Sequence, residues 1–328
     1  MSRRVIVTGG GGFIGAYLVK KLVRDCWDVG VIDTMVRGDA SRFAEVADQV
    51  RLHSIDVRDE DAVTLAVAGA DVVMHLAAIN GTENFYRRPE LVLDVGIRGA
   101  LAVVNACRRA GVPDLIFAST AEVYQTPAVV PTPEDTALML PNSLNPRYSY
   151  GGSKIASELI AFNYGQECFR KVQVFRPHNV YGPDMGWKHV IPQFILRAAG
   201  ALAKGAGPVP FTIQGDGQET RAFAYVDDVV GGILTMYECG SHREVYHIGN
   251  DYEVSIRDLV ARLGTIMGGE LVIHPSAGAE GGTHRRCPDI SKMRALGYTP
   301  QVNLTEGLRQ TAEWYIANRD KVAANDLM

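Results

Sequence analysis

Val5 to Gly15, Val-Ile-Val-Thr-Gly-Gly-Gly-Gly-Phe-Ile-Gly, is the stretch of sequence that decides the fold. Its β-branched start predicts a buried strand, its four glycines predict a turn, and apolar residues at helical spacing predict a helix. These apolar residues are Phe13, Ile14, Tyr17, Leu18 and Leu22. A strand, a glycine turn and a helix in this order direct the free N–H groups of the helix toward an anion, and the missing side chains let a pyrophosphate approach the backbone.

The glycine spacing fits a dinucleotide site rather than a triphosphate loop. Gly9, Gly12 and Gly15 stand at G-x-x-G-x-x-G spacing, and Gly10, Gly12 and Gly15 also satisfy G-x-G-x-x-G. Ala16 occupies the position at which a loop for nucleoside triphosphates has its lysine.

A second predicted strand, Val29 to Asp33, ends in an acidic residue 24 positions after Gly9. An acid there accepts hydrogen bonds from an adenosine ribose and repels a 2′-phosphate, which favours NAD over NADP. The alternative is that Asp33 is a solvated charge at the strand end or a helix cap. Arg37 is close in sequence and leaves NADP open.

Strands and helices alternate along the first half of the chain. Further strands are predicted at Val50 to Ile55, Asp71 to Leu76 and Asp114 to Ala118, with a long helix from Glu90 to Ala110. This alternation predicts an α/β fold with a right-handed, doubly wound parallel (Rossmann) sheet. Sheets of this kind bind ligands beyond the carboxyl ends of their strands.

Two of those strand ends supply candidate cofactor contacts. Asp56, with Val57 beside it, either reaches an adenine amino group or caps the helix that begins a few residues later. After the fourth strand, the small residues Ala77 and Ala78 follow Leu76 and keep the backbone accessible where a dinucleotide would cross the sheet.

The residues just after the fifth strand should face the nicotinamide, and they are Ser119, Thr120, Ala121 and Glu122. Tyr150 and Lys154 are four residues apart on a helix predicted to run to about Phe169, so they share one face. An ammonium beside a phenol is expected to lower the pKa of the phenol from about 10. Such a tyrosine removes a hydroxyl proton as hydride leaves the same carbon, while Thr120 hydrogen-bonds that oxygen. The alternative is a surface pair on an amphipathic helix.

The composition argues against a large partner. The 328 residues are 47% apolar with a net charge of −4 and no long Lys/Arg run, so the sequence lacks the basic surface typical of nucleic-acid or membrane binding. No apolar run approaches the roughly 18 residues of a membrane span, and we expect a cytoplasmic protein. Five widely spaced cysteines predict buried free thiols, and the eight histidines form no metal motif, so no metal site is expected.

Several motifs occur in one order along nearly the whole chain. After the glycine turn come His75-Leu76-Ala77-Ala78, Ser119-Thr120 with Val123-Tyr124, Tyr150-Gly151-Gly152-Ser153-Lys154, Arg176-Pro177-His178-Asn179-Val180-Tyr181-Gly182-Pro183 and Thr220-Arg221-Ala222-Phe223-Ala224-Tyr225-Val226-Asp227-Asp228. Together they resemble the extended short-chain dehydrogenase/reductases that modify nucleotide sugars.

The resemblance implies NAD on the glycine turn, Tyr150 as the base, Lys154 on the nicotinamide ribose and Thr120 as the hydroxyl partner. The implied cofactor-binding residues are Gly9, Gly12, Phe13, Ile14, Gly15, Asp33, Asp56, Val57, Leu76, Ala77, Ala78, Tyr150 and Lys154. It also implies a homodimer formed through the helices that hold Glu90 to Ala110 and Tyr150 to Phe169.

The implied substrate is a nucleoside diphosphate sugar. Asn179, Arg221 and Arg286 fall where relatives contact the diphosphate, although each arginine is alternatively a surface charge. Lys188 lies in an unusual loop, in which Trp187 merely packs. Thr82 and Glu83 line the sugar pocket or belong to a surface loop. Residues 1–177 with about 222–249 should form the NAD-binding domain, and about 178–221 with 250–328 a smaller, interleaved C-terminal substrate-binding domain.

Relatives oxidise a sugar carbon, usually C4, and return the hydride later. A C4 carbonyl acidifies the C5 hydrogen, and Glu122 stands where nucleotide-sugar dehydratases and a uronate decarboxylase also have Glu, so dehydration is favoured. The alternatives are a 4-epimerase without C5 chemistry, a uronate decarboxylase, a net NAD-dependent dehydrogenase or a non-catalytic NAD-binding regulator. Two positions depart from the family pattern: Ala121 replaces the Asp acid of some dehydratases, and Gly96 replaces an Asn near the nicotinamide.

Overall fold

A seven-stranded parallel sheet forms the centre of the computed structural model, which describes residues 2–164, 166–203, 207–277 and 283–322. Its strands are β1 (Arg4–Thr8), β2 (Asp28–Ile32), β3 (Val50–His53), β4 (Val72–His75), β5 (Asp114–Ala118), β6 (Lys171–Pro177) and, later in the chain, β11 (Glu244–Ile248). They lie in the order β11-β6-β5-β4-β1-β2-β3, and every neighbouring pair is parallel. The predicted doubly wound sheet is confirmed.

Helices cover both faces of this sheet. They are α1 (Phe13–Arg24), α2 (Glu60–Val67), α3 (Thr82–Arg87), α4 (Pro89–Leu93), α5 (Gly99–Ala110), α6 (Ser149–Tyr164) and, after an excursion, α8 (Val226–Cys239). One apolar cluster joins α1 and α8 to one face, and a second joins α2, α5 and α6 to the other. Burial on both faces explains why the central strands β1, β4 and β5 are near-continuous apolar runs rather than alternating ones.

The remaining segments form three small sheets and four helices. Two of these sheets are strand pairs: β7 (Val180–Tyr181) with β10 (Ala224–Tyr225), and β8 (Val209–Gln214) with β13 (Leu271–Ser276). In the third, β9 (Thr220–Ala222) lies between β12 (Glu253–Ser255) and β14 (Arg285–Arg286). The helices are α7 (Val190–Leu202), α9 (Ile256–Ile266), α10 (Ser291–Ala295) and α11 (Leu304–Ala317). A third apolar cluster joins most of these segments. We propose that they constitute the smaller domain, whose boundaries stay a prediction.

The glycine turn between β1 and α1 is closely packed. A Cβ atom added to Gly15 would lie 2.2 Å from the carbonyl oxygen of Gly9, and Gly9 itself has φ +74°. Both positions therefore require glycine, one for space and one for backbone conformation. Their contact lets α1 begin directly above the end of β1.

The long helix predicted for Glu90 to Ala110 is interrupted. A π-helical turn at Asp94–Arg98 separates α4 from α5. Within it, a Cβ on Gly96 would lie 2.6 Å from Ser153 Oγ on α6, so the asparagine expected from relatives does not fit this packing. The π turn and α6 therefore approach each other closely at Gly96, which has no side chain beyond a hydrogen atom.

Other predictions need smaller corrections. Helix α6 ends at Tyr164, five residues before the predicted end at Phe169, which is buried apart from it. All five cysteines are free, but only Cys107 and Cys287 are buried; Cys26, Cys168 and Cys239 are exposed, so the prediction of buried thiols was wrong for three of them.

The Gly15 contact leads to a stability prediction. Gly15→Ala should lower the free energy of unfolding by about 1–3 kcal/mol, because the methyl group overlaps the Gly9 carbonyl. Thermal unfolding of both proteins measures this difference. Gly231→Ala is the matched control, since Gly231 lies inside helix α8 with no atom within 4 Å of its added Cβ. The control should be neutral or more stable by about 0.4–1 kcal/mol. Equal stability of Gly15→Ala and wild type would contradict the packing argument.

Candidate functional site

The glycine turn fits a dinucleotide phosphate. Within the described residues, no side chain caps α1, whose N-cap is Gly12, so its first N–H groups remain available to an anion. A Cβ on Gly12 would meet only the Gly9 oxygen, at 3.1 Å, which leaves open space above the turn. Phe13 and Ile14 begin the helix, and both are partly buried in the apolar clusters.

Asp33 lies beside this turn at the end of β2. Its carboxylate accepts hydrogen bonds from the backbone N–H of Gly11 at 2.9 Å and of Met35 at 2.9 Å. Asp39, not Asp33, caps the next short helix by accepting from Ser41, so the helix-cap alternative was wrong. The role of Asp33 in binding an adenosine ribose stays a prediction.

Asp56 is held by an arginine that the sequence analysis did not assign. Its carboxylate accepts from the Arg58 side chain at 2.9 and 2.5 Å, and Arg58 also donates to Asp94 at 2.5 Å. These bonds lower the pKa of Asp56 and fix its orientation. The cap of α2 is Asp59, which accepts from Ala62, so the capping alternative for Asp56 was wrong. Val57 is buried beside them.

The end of β4 lies next to the glycine turn. Leu76 donates its N–H to the Thr8 carbonyl at 3.0 Å, and Ala77 donates to the Thr8 hydroxyl at 3.3 Å. His75 is buried and hydrogen-bonds the same hydroxyl at 2.7 Å. Burial lowers the pKa of His75 to about 3, so it is neutral and serves the packing between β1 and β4. Ala78 follows at the partly exposed edge.

Thr120, Tyr150 and Lys154 meet at the end of β5. Thr120 is 8% exposed and Tyr150 is 9% exposed, and the Thr120 side chain lies close to the phenol. The Lys154 ammonium donates to the Ala118 carbonyl at 2.7 Å and lies 5.9 Å from the centre of the Tyr150 ring. The structure thus brings the three side chains together, and the surface-pair alternative was wrong because both helical residues are buried.

The predicted effect of Lys154 on the acidity of Tyr150 was wrong in this structure. Burial raises the pKa of Tyr150 to about 12, Glu122 adds to that rise, and Thr120 and Arg37 oppose it only in part. Burial also lowers the pKa of Lys154 to about 8. The helical spacing predicted a shared face correctly, but it gave no measure of how much water both groups lose.

Glu122 and Arg286 form an ion pair that joins residues 164 positions apart. An Arg286 Nη atom donates to the Glu122 carboxylate at 2.7 Å. Burial opposes the charged form of Glu122, but Arg286, assisted by Arg147 and Arg221, outweighs it and holds the pKa of Glu122 below its usual value. Glu122 was predicted to act at C5 of the sugar and Arg286 to contact the diphosphate, but the two side chains are direct partners.

Arg221 lies beside Arg286 on the neighbouring strand. The register of β9 and β14 places the two residues opposite each other. Burial and the Arg286 charge lower the pKa of Arg221. Asn179, at φ +40°, donates to the Ala222 carbonyl at 3.2 Å. Arginines outnumber carboxylates at this end of the site: Arg147, Arg221 and Arg286 act on Glu122, and Glu219 acts on Arg221.

A buried polar network lies directly behind the site. Glu158, one helical turn after Lys154, accepts from Arg176 at 2.8 and 2.6 Å and also from the Ser119 hydroxyl. Arg176 further donates to the Tyr124 hydroxyl. Ser119, Tyr124 and Arg176 were recognised from the sequence only as parts of motifs, and no role was predicted for Glu158. Their mutual contact depends on tertiary structure alone.

The segment after β4 covers Tyr150. Phe85 on α3 stacks on the Tyr150 ring, and neither the periodicity nor the motifs singled it out. Glu83 and Lys188 pair with each other at 2.9 Å, while Thr82 is exposed. Trp187 packs against aromatic rings of α11, as predicted. The contact of Thr82, Glu83 and Lys188 with a sugar stays a prediction.

The described ranges contain neither a metal-binding cluster nor a membrane-spanning helix. No group of three or more His, Cys, Asp and Glu side chains there is arranged to hold a metal ion. None of the helices in the same ranges combines the length and apolar character that a membrane span needs.

The chain is similar to proteins that act on nucleotide sugars. UDP-glucuronic acid decarboxylase 1 from Xenopus tropicalis is 30% identical over 326 residues, which cover 98% of this chain and 74% of that protein. UDP-N-acetyl-alpha-D-glucosaminuronate decarboxylase from Bacillus cytotoxicus is 29% identical over 327 residues, covering 96% and 98%. Among solved structures, the dTDP-glucose 4,6-dehydratase DesIV from Streptomyces venezuelae, with NAD bound, superimposes with a TM-score of 0.85 at 29% identity, covering 97% of this chain and 98% of that one.

A family model extends this similarity to the site itself. The model of the NAD dependent epimerase/dehydratase family matches residues 5–249, a range that contains the glycine turn, Thr120, Tyr150 and Lys154. Its relatives are extended short-chain dehydrogenase/reductases, and the glycine turn has the free N–H groups and open space that NAD requires. The chain therefore belongs to the NAD-dependent epimerase/dehydratase family, and its cofactor is NAD.

Proposed function

We propose that this protein transiently oxidises C4 of a nucleoside diphosphate uronic acid and releases the C6 carboxylate as CO2 while C4 is a ketone. The observation that carries the proposal is the Glu122–Arg286 ion pair beside Thr120 and Tyr150. Bound NAD would supply the acceptor for the C4 hydride and the source from which that hydride returns after the carboxylate has left.

The residues of this chain handle the proton at O4. The Thr120 hydroxyl holds the substrate oxygen, and the Tyr150 oxygen receives its proton. Because the pKa of Tyr150 is about 12, little phenolate exists at neutral pH. Proton transfer therefore depends on the groups that oppose the rise in the pKa of the phenol, Thr120 and Arg37.

The Glu122–Arg286 pair favours decarboxylation over dehydration. Dehydration needs a base for the C5 hydrogen and an acid for the leaving hydroxyl. Arg286 weakens Glu122 as a base by lowering its pKa, and Ala121 offers no acid. Loss of CO2 from a 4-keto uronic acid needs neither group, since the C–C bonding electrons move toward the C4 carbonyl and only C5 must be protonated afterwards. The named substrates of the two decarboxylase relatives are uronic acids.

Dehydration is the second candidate, because Glu122 is ionised and so can accept a proton. The structural similarity to a dTDP-glucose 4,6-dehydratase supports it. In this alternative Glu122 removes the C5 proton, the C6 hydroxyl leaves, and a water must supply the proton that Ala121 does not.

The positive end of the site suits the diphosphate of the substrate. Arg221 and Arg286 are register partners on adjacent strands, and a diphosphate would bring negative charge to a place where arginines outnumber carboxylates. Asn179 lies beside them through its contact with Ala222. We assign the binding of the diphosphate to Asn179, Arg221 and Arg286.

A second copy of the chain is the proposed partner. Helices α4 and α6 leave apolar side chains exposed on their outer side: Leu93 at 39%, Leu159 at 60% and Tyr164 at 49%. The extended short-chain dehydrogenase/reductases associate through these helices, so we propose a homodimer that buries them.

The substrate prediction is tested with a panel of nucleoside diphosphate sugars, incubated with the protein without added NAD. A uronic acid substrate should lose the mass of CO2, as read by mass spectrometry. Loss of water from a neutral hexose would instead establish dehydration, and unchanged mass with altered NMR couplings would establish epimerisation. Steady accumulation of NADH would contradict the return of the hydride.

Tyr150→Phe tests the role of the phenol in the same assay. Removing the hydroxyl should lower kcat by about 10²–10⁴-fold, the usual contribution of a positioned acid or base, while NAD remains bound. Tyr252→Phe is the control, since Tyr252 is 56% exposed and belongs to none of the elements that carry the site. Full activity of Tyr150→Phe would remove the tyrosine from the mechanism.

The ion pair predicts a pH dependence of stability. The folded-state pKa of Glu122 is lowered, so the pair stabilises the fold above the unfolded-state pKa of about 4.3, and this contribution is lost as the pH falls through the lower folded-state value. The difference in melting temperature between wild type and Arg286→Met should therefore narrow as the pH falls from neutral to below about 4.3.

A second background provides the control for this measurement. When Glu122 is replaced by Gln, the effect of Arg286→Met on the melting temperature should no longer vary with pH. The same pH dependence in both backgrounds would mean that another carboxyl group is the partner of Arg286.

Leu159→Arg tests the proposed dimer interface. Light scattering coupled to size exclusion should give about twice 35.7 kDa for wild type and 35.7 kDa for the variant, because a charge cannot be buried unpaired between apolar surfaces. Leu65→Arg, at an 80% exposed leucine on α2, should remain dimeric. A dimeric Leu159→Arg protein would place the interface elsewhere.

A further inference from the structure

Helix α3 lies against the tyrosine of the site. The rings of Phe85 and Tyr150 are almost parallel, with an interplanar angle of 12° and centroids 5.4 Å apart. Phe85 is 7% exposed and Tyr150 is 9% exposed, so the two rings shield each other from water. With Val92 they form a small apolar cluster that is separate from the three larger ones.

The start of α3 is fixed from the side of the sheet. Gly81 precedes the helix at φ +108°, a conformation that lets the chain turn sharply after β4. The Asn84 side chain donates to the Asn80 carbonyl at 2.9 Å, and Ala78 and Ile79 pack against the small cluster. The path from β4 therefore sets the position of Phe85.

The other side of α3 is tied to the segment before α7. Glu83 accepts from Lys188 at 2.9 Å, and Trp187, the neighbour of Lys188, packs into the third apolar cluster. Helix α3 is thus held between the central sheet and the smaller sheets while Phe85 faces Tyr150. A six-residue helix alone would not hold a ring in place, but these contacts at both sides do.

We propose that Phe85 is a positioning residue that holds the Tyr150 ring where its oxygen meets Thr120 and the sugar hydroxyl. The proposal rests on the function proposed above. A phenol turns freely about its side-chain bonds unless neighbouring groups occupy the space beside the ring. Tyr150 has Thr120 near its oxygen and the Lys154 ammonium 5.9 Å from its ring centre, and Phe85 stacks on its ring.

This arrangement separates a positioning effect from a binding effect. Phe85 faces the tyrosine ring, whereas the glycine turn and the Arg221–Arg286 pair lie on other elements. Loss of the Phe85 ring should therefore reduce the rate of the chemical step and leave the affinities for NAD and the nucleotide sugar unchanged. A displacement of about 1 Å at a reacting group costs on the order of a hundredfold in rate.

Phe85→Leu keeps an apolar side chain but removes the flat ring. It should lower kcat by about ten- to hundredfold with KM and the dissociation constant of NAD near wild-type values. Phe85→Tyr retains the ring and should restore most of the rate. Tyr86→Leu is the matched control, because Tyr86 is the adjacent aromatic residue on the same helix and is 52% exposed.

Wild-type kcat in Phe85→Leu would overturn the proposal, and so would a parallel loss of kcat, NAD affinity and melting temperature. A crystal structure of Phe85→Leu with NAD gives a readout that needs no substrate: the Tyr150 ring should rotate away from Thr120. An unmoved ring would overturn the positioning role even if the proposed reaction is correct. Failure of wild type to convert any nucleotide sugar, with a displaced ring in the variant, would instead refute only the proposed function.

Discussion

The buried ion pair between Glu158 and Arg176 is the interaction on which the site depends. The side chains are 5% and 4% exposed, so both charges have lost nearly all contact with water. Such a pair is tolerated only when further hydrogen bonds satisfy it, and here Ser119 donates to the glutamate while the arginine donates to Tyr124. Removing either partner would leave an uncompensated charge in the interior.

These bonds connect the elements that carry the chemistry. Glu158 belongs to α6, which also holds Tyr150 and Lys154, and Arg176 belongs to β6. Ser119 and Tyr124 flank the turn that presents Thr120 and Glu122. The network therefore fixes α6, which carries the Tyr150 phenol, relative to the turn that carries the Thr120 hydroxyl and the Glu122 carboxylate. It positions Thr120, Tyr150 and Glu122 relative to one another, while the arginines on β9 and β14 place positive charge beside Glu122.

Local pattern predicted the parts of the structure that local chemistry determines. The strand, glycine turn and helix around Gly9 and Gly15 could be predicted because their spacing admits few backbone arrangements. The face shared by Tyr150 and Lys154 followed from helical geometry in the same way. The acidity of Tyr150 could not be predicted, since it depends on burial by Phe85 and other residues that only the folded chain brings near.

The contact that favours decarboxylation over dehydration could not be predicted from the sequence either. Glu122 and Arg286 were both candidates, yet nothing local shows that residues so far apart form one ion pair. The central claim remains that hydride leaves C4 and returns to the same sugar. A uronic acid substrate carrying deuterium at C4 tests it most directly. The account predicts a decarboxylated product that retains the deuterium at C4 in ordinary water; a product that has lost it would contradict the account.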